Sequence, residues 1–144
     1  MKRWVGLAVG LAGIGCGSSS TFDPVSEFEP FVGTWDAVVF MVTADAPPHT
    51  TADVLTLGPF WIDVQPSGRY QGVLEFLGTQ TEWGQLSIQS STQLTLDADD
   101  QPPAPSTYRF ATADSLILDG ATAFDFNLDG TNEPAQVHME IVRR

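Results

Sequence analysis

From about residue 32 to the C-terminus the chain alternates apolar and polar positions in short runs broken by Gly, Pro, Asp and Asn, and helical periodicity is hard to find. Period-two alternation suits a strand with one buried face, because successive side chains point to opposite sides of a sheet. Runs of this kind cover residues 60–64, 69–77, 82–88, 92–96, 107–110, 115–118, 122–126 and 135–142. The run 33–43 is apolar almost throughout, which predicts a strand covered on both faces, and 54–57 is a further short candidate. Gln65-Pro66-Ser67-Gly68 predicts a hairpin turn between two of these runs, with Pro and Gly supplying the backbone angles the reversal needs. Two proline-rich loops are expected at 45–51 and 97–106. About nine strands joined mostly by short turns define an all-β chain. The expected architecture is an antiparallel up-and-down β-barrel of about eight or nine strands, with a β-sandwich as the alternative; both limit exposed edges.

The first residues follow a different pattern. Met1-Lys2-Arg3 precedes an apolar run from Trp4 to Gly15, and the only cysteine, Cys16, comes next. Positive charge, a short apolar stretch and small residues before a cut are the elements of a secretory signal. The run is shorter than the roughly 20 residues a spanning helix needs. Gly13-Ile14-Gly15-Cys16 resembles the lipobox of bacterial lipoproteins, which implies that residues 1–15 are removed and that Cys16 receives diacylglycerol and further acyl chains of the palmitate type. Each buried methylene then adds about 0.8 kcal/mol of membrane affinity. Cleavage as an ordinary secretory signal is the alternative, since Gly13 and Gly15 also satisfy the small-x-small rule. In the lipoproteins this segment resembles, Asp after the cysteine favours the inner membrane; Gly17 stands here, which points to the outer membrane. Residues 16–30 read as a lipidated tether and 31–144 as one β-domain.

Charge narrows the partners. The chain carries a formal −12, and removal of Lys2 and Arg3 leaves four arginines and no lysine against all 18 acids. Such a field repels phosphate backbones, which excludes nucleic acid, and it favours divalent cations and basic partners. A single cysteine permits neither an intrachain disulfide nor a cysteine-ligated zinc.

Gly33-Thr34-Trp35 on the first long strand, together with Arg143 or Arg144 on the last, resembles the lipocalin-like domains. That resemblance, spanning residues 31–144, implies a barrel whose Trp35 closes one end under an arginine packed across its ring, around an apolar interior able to hold a small hydrophobic ligand. Phe40, Phe60, Trp61, Phe76, Trp83 and Phe110 are candidates to line such an interior, although aromatics at strand spacing are more often plain core.

The sharpest local motif is Asp125-Phe126-Asn127-Leu128-Asp129-Gly130-Thr131-Asn132-Glu133. Oxygen side chains at alternate positions, a glycine for the reversal and a later acid match a calcium loop. Asp125, Asn127, Asp129 and Glu133 would supply side-chain oxygens and Thr131 its carbonyl, holding Ca2+ in a structural role. Gln136 stands where an EF-hand has its bidentate glutamate, so the motif looks instead like the calcium loops between strands of extracellular domains. The alternative is a plain hairpin turning at Asp129-Gly130. Catalysis has no comparable motif. His49 falls in a Pro-Pro-His loop, and His138 shares the polar face of the last strand with Gln136 and Glu140. Asp99-Asp100 sits in a solvated loop. The expected role is therefore non-catalytic binding at the cell envelope, with a small hydrophobic ligand as the first candidate. A structural or protein-interaction module and a sugar-binding sandwich are the alternatives.

Overall fold

Nine strands follow one another in the computed structural model, which describes residues 26–144. They are β1 (Gly33–Ala44), β2 (Thr51–Asp53), β3 (Phe60–Val64), β4 (Arg69–Glu75), β5 (Thr79–Ile88), β6 (Gln93–Ala98), β7 (Ala104–Thr112), β8 (Ser115–Phe124) and β9 (Glu133–Arg143). From β3 to β9 each strand pairs antiparallel with the next, and β9 returns to β1 along nearly its whole length. Eight strands thus close into an up-and-down barrel. The ninth, β2, is an addition on the C-terminal half of β1, opposite Met41, Val42 and Thr43, while β3 pairs with Gly33 to Asp36. One sheet closed on itself removes the sandwich alternative.

The apolar run of β1 has a different cause from double-sided burial. Ala37 pairs with Ile141 and Val39 with Glu140, so Val38 is an extra residue, a β-bulge. Trp35 and Ala37 face the core before it, Phe40 and Val42 after it, because one inserted residue inverts the alternation. Val38 itself is 52% exposed. The run 54–57 is also not a strand. Val54–Thr56 forms a 3-10 turn capped by the Asp53 carboxylate, which accepts the Leu55 N–H at 3.0 Å.

Other boundaries move for similar local reasons. Residues 115–118 and 122–126 are one strand ending at Phe124, since Asp119 and Gly120 continue the ladder opposite His138 and Val137. The loop expected at 97–106 is shorter, with β6 running to Ala98 and β7 starting at Ala104. The Pro66–Gly68 turn is as expected, with the Gly68 N–H on Gln65 O at 2.9 Å and Gly68 at φ 78°.

Inside the barrel, Trp35, Ile62, Val64, Tyr70, Leu86, Leu94, Leu116, Leu118, Met139 and Ile141 form one buried cluster with Phe31. Tyr70 fits only because Gly84 lies across from it; a Cβ there would come within 2.4 Å of the phenol. At the other end Val42, Val54 and Ala135 form a second cluster with Phe40, Leu74, Phe124 and Phe126 against it. Burying each such aliphatic side chain stabilises the fold by roughly 1.5–3 kcal/mol.

Candidate functional site

One mouth of the barrel is built from its first and last described residues. Glu29–Phe31 forms a 3-10 turn that places Phe31 against Tyr108 and Phe110, ring centroids 5.2 Å apart in each pair. Trp35, 1% exposed, donates its indole N–H to the Phe31 carbonyl at 2.7 Å. Arg143 lies across the other side of that indole, its Cζ 4.2 Å from the ring centroid. The guanidinium also donates to the carbonyls of Pro30, at 2.9 Å, and Val32, and to Asp114 at 3.1 Å. Residues 28–30, read from the sequence as part of a tether, thus belong to this seal. Arg144 is directed outward. It pairs with Asp36 and lies over Trp61, with Cζ 5.6 Å from the ring.

Between the two ends the lumen is nearly full. A cavity of about 20 Å3 remains, lined by Trp35, Ile62, Leu86, Leu94, Leu116 and neighbouring apolar side chains. Such a volume holds about one water, and the lining offers that water no polar group. Of the aromatic candidates, Phe40, Phe60 and Phe110 pack against the core, whereas Trp61 and Trp83 lie on the outer face, Trp83 41% exposed. Burial and the adjacent Glu82 carboxylate push the Tyr70 hydroxyl well above its ordinary range; it donates to Glu82 at 3.2 Å.

The 125–133 segment forms the β8–β9 connection, and its oxygens are engaged by the loop's own amides. Asp125 accepts the N–H groups of Asp129, at 3.1 Å, and Gly130, at 2.7 Å. Asn127 accepts the Asp129 N–H at 2.9 Å, and Asp129 accepts that of Thr131 at 2.8 Å, a bond that lowers the Asp129 pKa. Glu133 accepts from Phe126 N–H at 3.2 Å and Asn127 Nδ2 at 3.4 Å. Among the described residues no three His, Cys, Asp or Glu side chains converge as metal ligands would. These bonds fix the loop's shape and use one lone pair of each oxygen, leaving further carboxylate and carbonyl lone pairs with which a cation could be shared.

His138 stands on the outer face between two carboxylates, with Nδ1 2.6 Å from Asp119 and Nε2 3.4 Å from Glu140. The Asp119 hydrogen bond is the main reason its pKa is raised. His49 Nδ1 lies 3.1 Å from the Ala44 carbonyl. Near His138 a groove of about 400 Å3 runs over β6, β7, β8 and the start of β9, lined by Gln93, Thr95, Thr107, Asp119 and Gln136 together with Pro105 and Ala121. Alternation places those side chains outward, but no pattern in the sequence marks the concavity. Cys16, the lipidation candidate, and the signal 1–15 lie outside the described residues.

Fold and lumen together define a filled, antiparallel up-and-down β-barrel, sealed at one end by Trp35 and Arg143 and carrying a second apolar cluster toward the other. No protein-family model matches the chain, and no curated protein matches it in sequence.

Proposed function

We propose that this is a lipid-tethered, non-catalytic module of the cell envelope that works through the outside of its barrel. The observation that carries the reading is the 20 Å3 of free space inside. Small-molecule sites commonly enclose roughly 300–1,000 Å3. A hydrophobic ligand would have to displace packed side chains, each held by its own burial. The outer surface, in contrast, carries an acidic field, a 400 Å3 groove of mixed polar and apolar lining and an exposed tryptophan. Non-catalytic action is supported by the histidines, whose hydrogen bonds among the described residues go to carboxylates and a backbone carbonyl.

Titration with a fluorescent fatty-acid probe tests the lumen; no saturable enhancement is expected, and saturable uptake would overturn the reading. The tether rests on the Cys16 motif and is tested by radiolabelled palmitate, with label expected on wild type and lost in Cys16→Ser. Trp83 supports a second reading: an exposed indole opposite Gln71 is suited to stack on a sugar ring. Glycan binding that disappears in Trp83→Ala would select it.

A further inference from the structure

The β4–β5 hairpin rises past its neighbour. β5 pairs with β4 from Thr79 to Gln85, whereas β6 pairs only with Gly84 to Ile88. The first half of β5 is therefore an edge among the described residues, and all five residues from Thr79 to Trp83 are exposed.

Hydrogen-bond phase shows which groups that edge presents. In an antiparallel ladder each residue sends both its N–H and its C=O to the same side. Glu75 donates its N–H to Pro59 O at 3.1 Å, toward β3, and Leu86 donates to Gly68 O at 2.8 Å, toward β4. Even-numbered residues of β5 consequently bond β4, and odd-numbered ones face away from it. The Trp83 carbonyl fits this phase, accepting the Asp99 N–H at 2.8 Å on the far side. Both amide groups of Thr79 and Thr81, and the N–H of Trp83, are thus directed at an edge with no strand beyond it among the described residues. Thr-Gln-Thr-Glu-Trp contains no proline, lysine or bulge; its one charge, Glu82, accepts the Tyr70 hydroxyl, and threonine and tryptophan favour extended backbone.

We propose that this edge accepts an extended, basic segment of a partner protein by strand addition. The inference rests on the surface-binding reading and names its partner. Main-chain bonds to Thr79, Thr81 and Trp83 would hold the segment, and specificity would come from alternate side chains. Charge selects a cationic one: Glu75 and Glu82 lie on the hairpin, Asp97 and Asp100 flank the end of β6, and the nearby Arg69 is already paired with Asp99. A second copy of this chain is disfavoured as occupant because it would bring a further −12.

The test uses the full chain and a capped peptide alternating lysine and valine, followed by calorimetry. Three comparisons accompany it: the same peptide N-methylated at alternate residues, a glutamate-for-lysine peptide, and the variant Thr81→Pro. Proline at 81 removes an N–H that makes no bond to β4, so the ladder is retained. Saturable binding of the lysine peptide is expected, weakened at least tenfold by N-methylation, by Thr81→Pro and by the charge reversal. Should Thr81→Pro not fold, the N-methylated peptide on wild type decides the matter alone. Equal binding of the N-methylated peptide, or none by the unmodified one, overturns the proposal. So does a concentration-dependent dimer in sedimentation that excludes the peptide, which would make a second copy the occupant. Absence of peptide binding leaves the surface reading to the lumen-probe titration, whose failure is seen separately.

Discussion

Trp35 and Arg143 form the seal at one mouth of the barrel, and a double-mutant cycle measures how much their contact contributes. Arg143→Met keeps an unbranched apolar stem but removes the guanidinium from above the indole, together with its bonds to Pro30 O, Val32 O and Asp114. Hydrogen bonds from a charged donor contribute about 1.5–3 kcal/mol each when well shielded and less when exposed, so a total loss of about 3 kcal/mol is expected. Trp35→Leu removes the ring face under the guanidinium and with it the N–H that reaches Phe31 O at 2.7 Å. A buried carbonyl left unpaired costs about 1–3 kcal/mol. The ring contact itself is cation–π in character, about 0.5–1 kcal/mol when exposed and about 2 when dry; a partly shielded guanidinium falls near 1 kcal/mol. Urea unfolding of the four proteins, followed by circular dichroism, gives the coupling energy, provided each unfolds in one transition. A coupling of about 1 kcal/mol is expected. Additivity within about 0.3 kcal/mol would refute the reasoning and show that carbonyls alone position the arginine.

Three further outcomes follow from the geometry. Gly84→Ala puts a methyl against the Tyr70 ring and should lose about 1–3 kcal/mol in urea unfolding, part of it recovered by adding Tyr70→Leu; unchanged stability would contradict the packing. Since the His138 pKa is raised on folding, its stabilising contribution is fully present below the unfolded value near 6.5 and is lost as pH rises through the folded value; His138→Gln should flatten that part of the stability–pH profile. Asp125→Ala should destabilise by about 1 kcal/mol with or without calcium, because the carboxylate caps two amides. Millimolar calcium separates the two readings of this loop: a rise in melting temperature that Asp125→Ala abolishes establishes the ion, and an unchanged melting temperature leaves a plain hairpin.

Strand identity could be read from alternation because most of these strands have one dry and one wet face. Residues 60–64 and 135–142 show it plainly, and Pro66 with Gly68 located a hairpin whose angles only such residues supply cheaply. The bulge at Val38 was hidden by the chemistry of β1, where valine occupies both sides of the phase change. Thr79, Gln80 and Thr81 gave no strand signal since both their faces are wet; the hairpin to β4 makes them a strand. The same long-range geometry decides closure, the groove and the open edge, all of which depend on which strand lies beside which. Of the candidate sites, the spacing of Asp125, Asn127, Asp129 and Glu133 marked an ordered loop, but spacing does not say whether an ion joins the amides those oxygens hold. The degree of filling was equally hidden, because apolar inward positions line hollow and packed barrels alike.

Xenon uptake tests the filled interior most directly. In a pressurised crystal or by xenon-129 resonance, the wild-type barrel should show no interior site, whereas Leu94→Ala, which enlarges the cavity beside Trp35 and Leu86, should bind one atom at a cost of about 2–5 kcal/mol in stability. Xenon inside the wild-type protein would contradict the account and restore the lumen as a binding site.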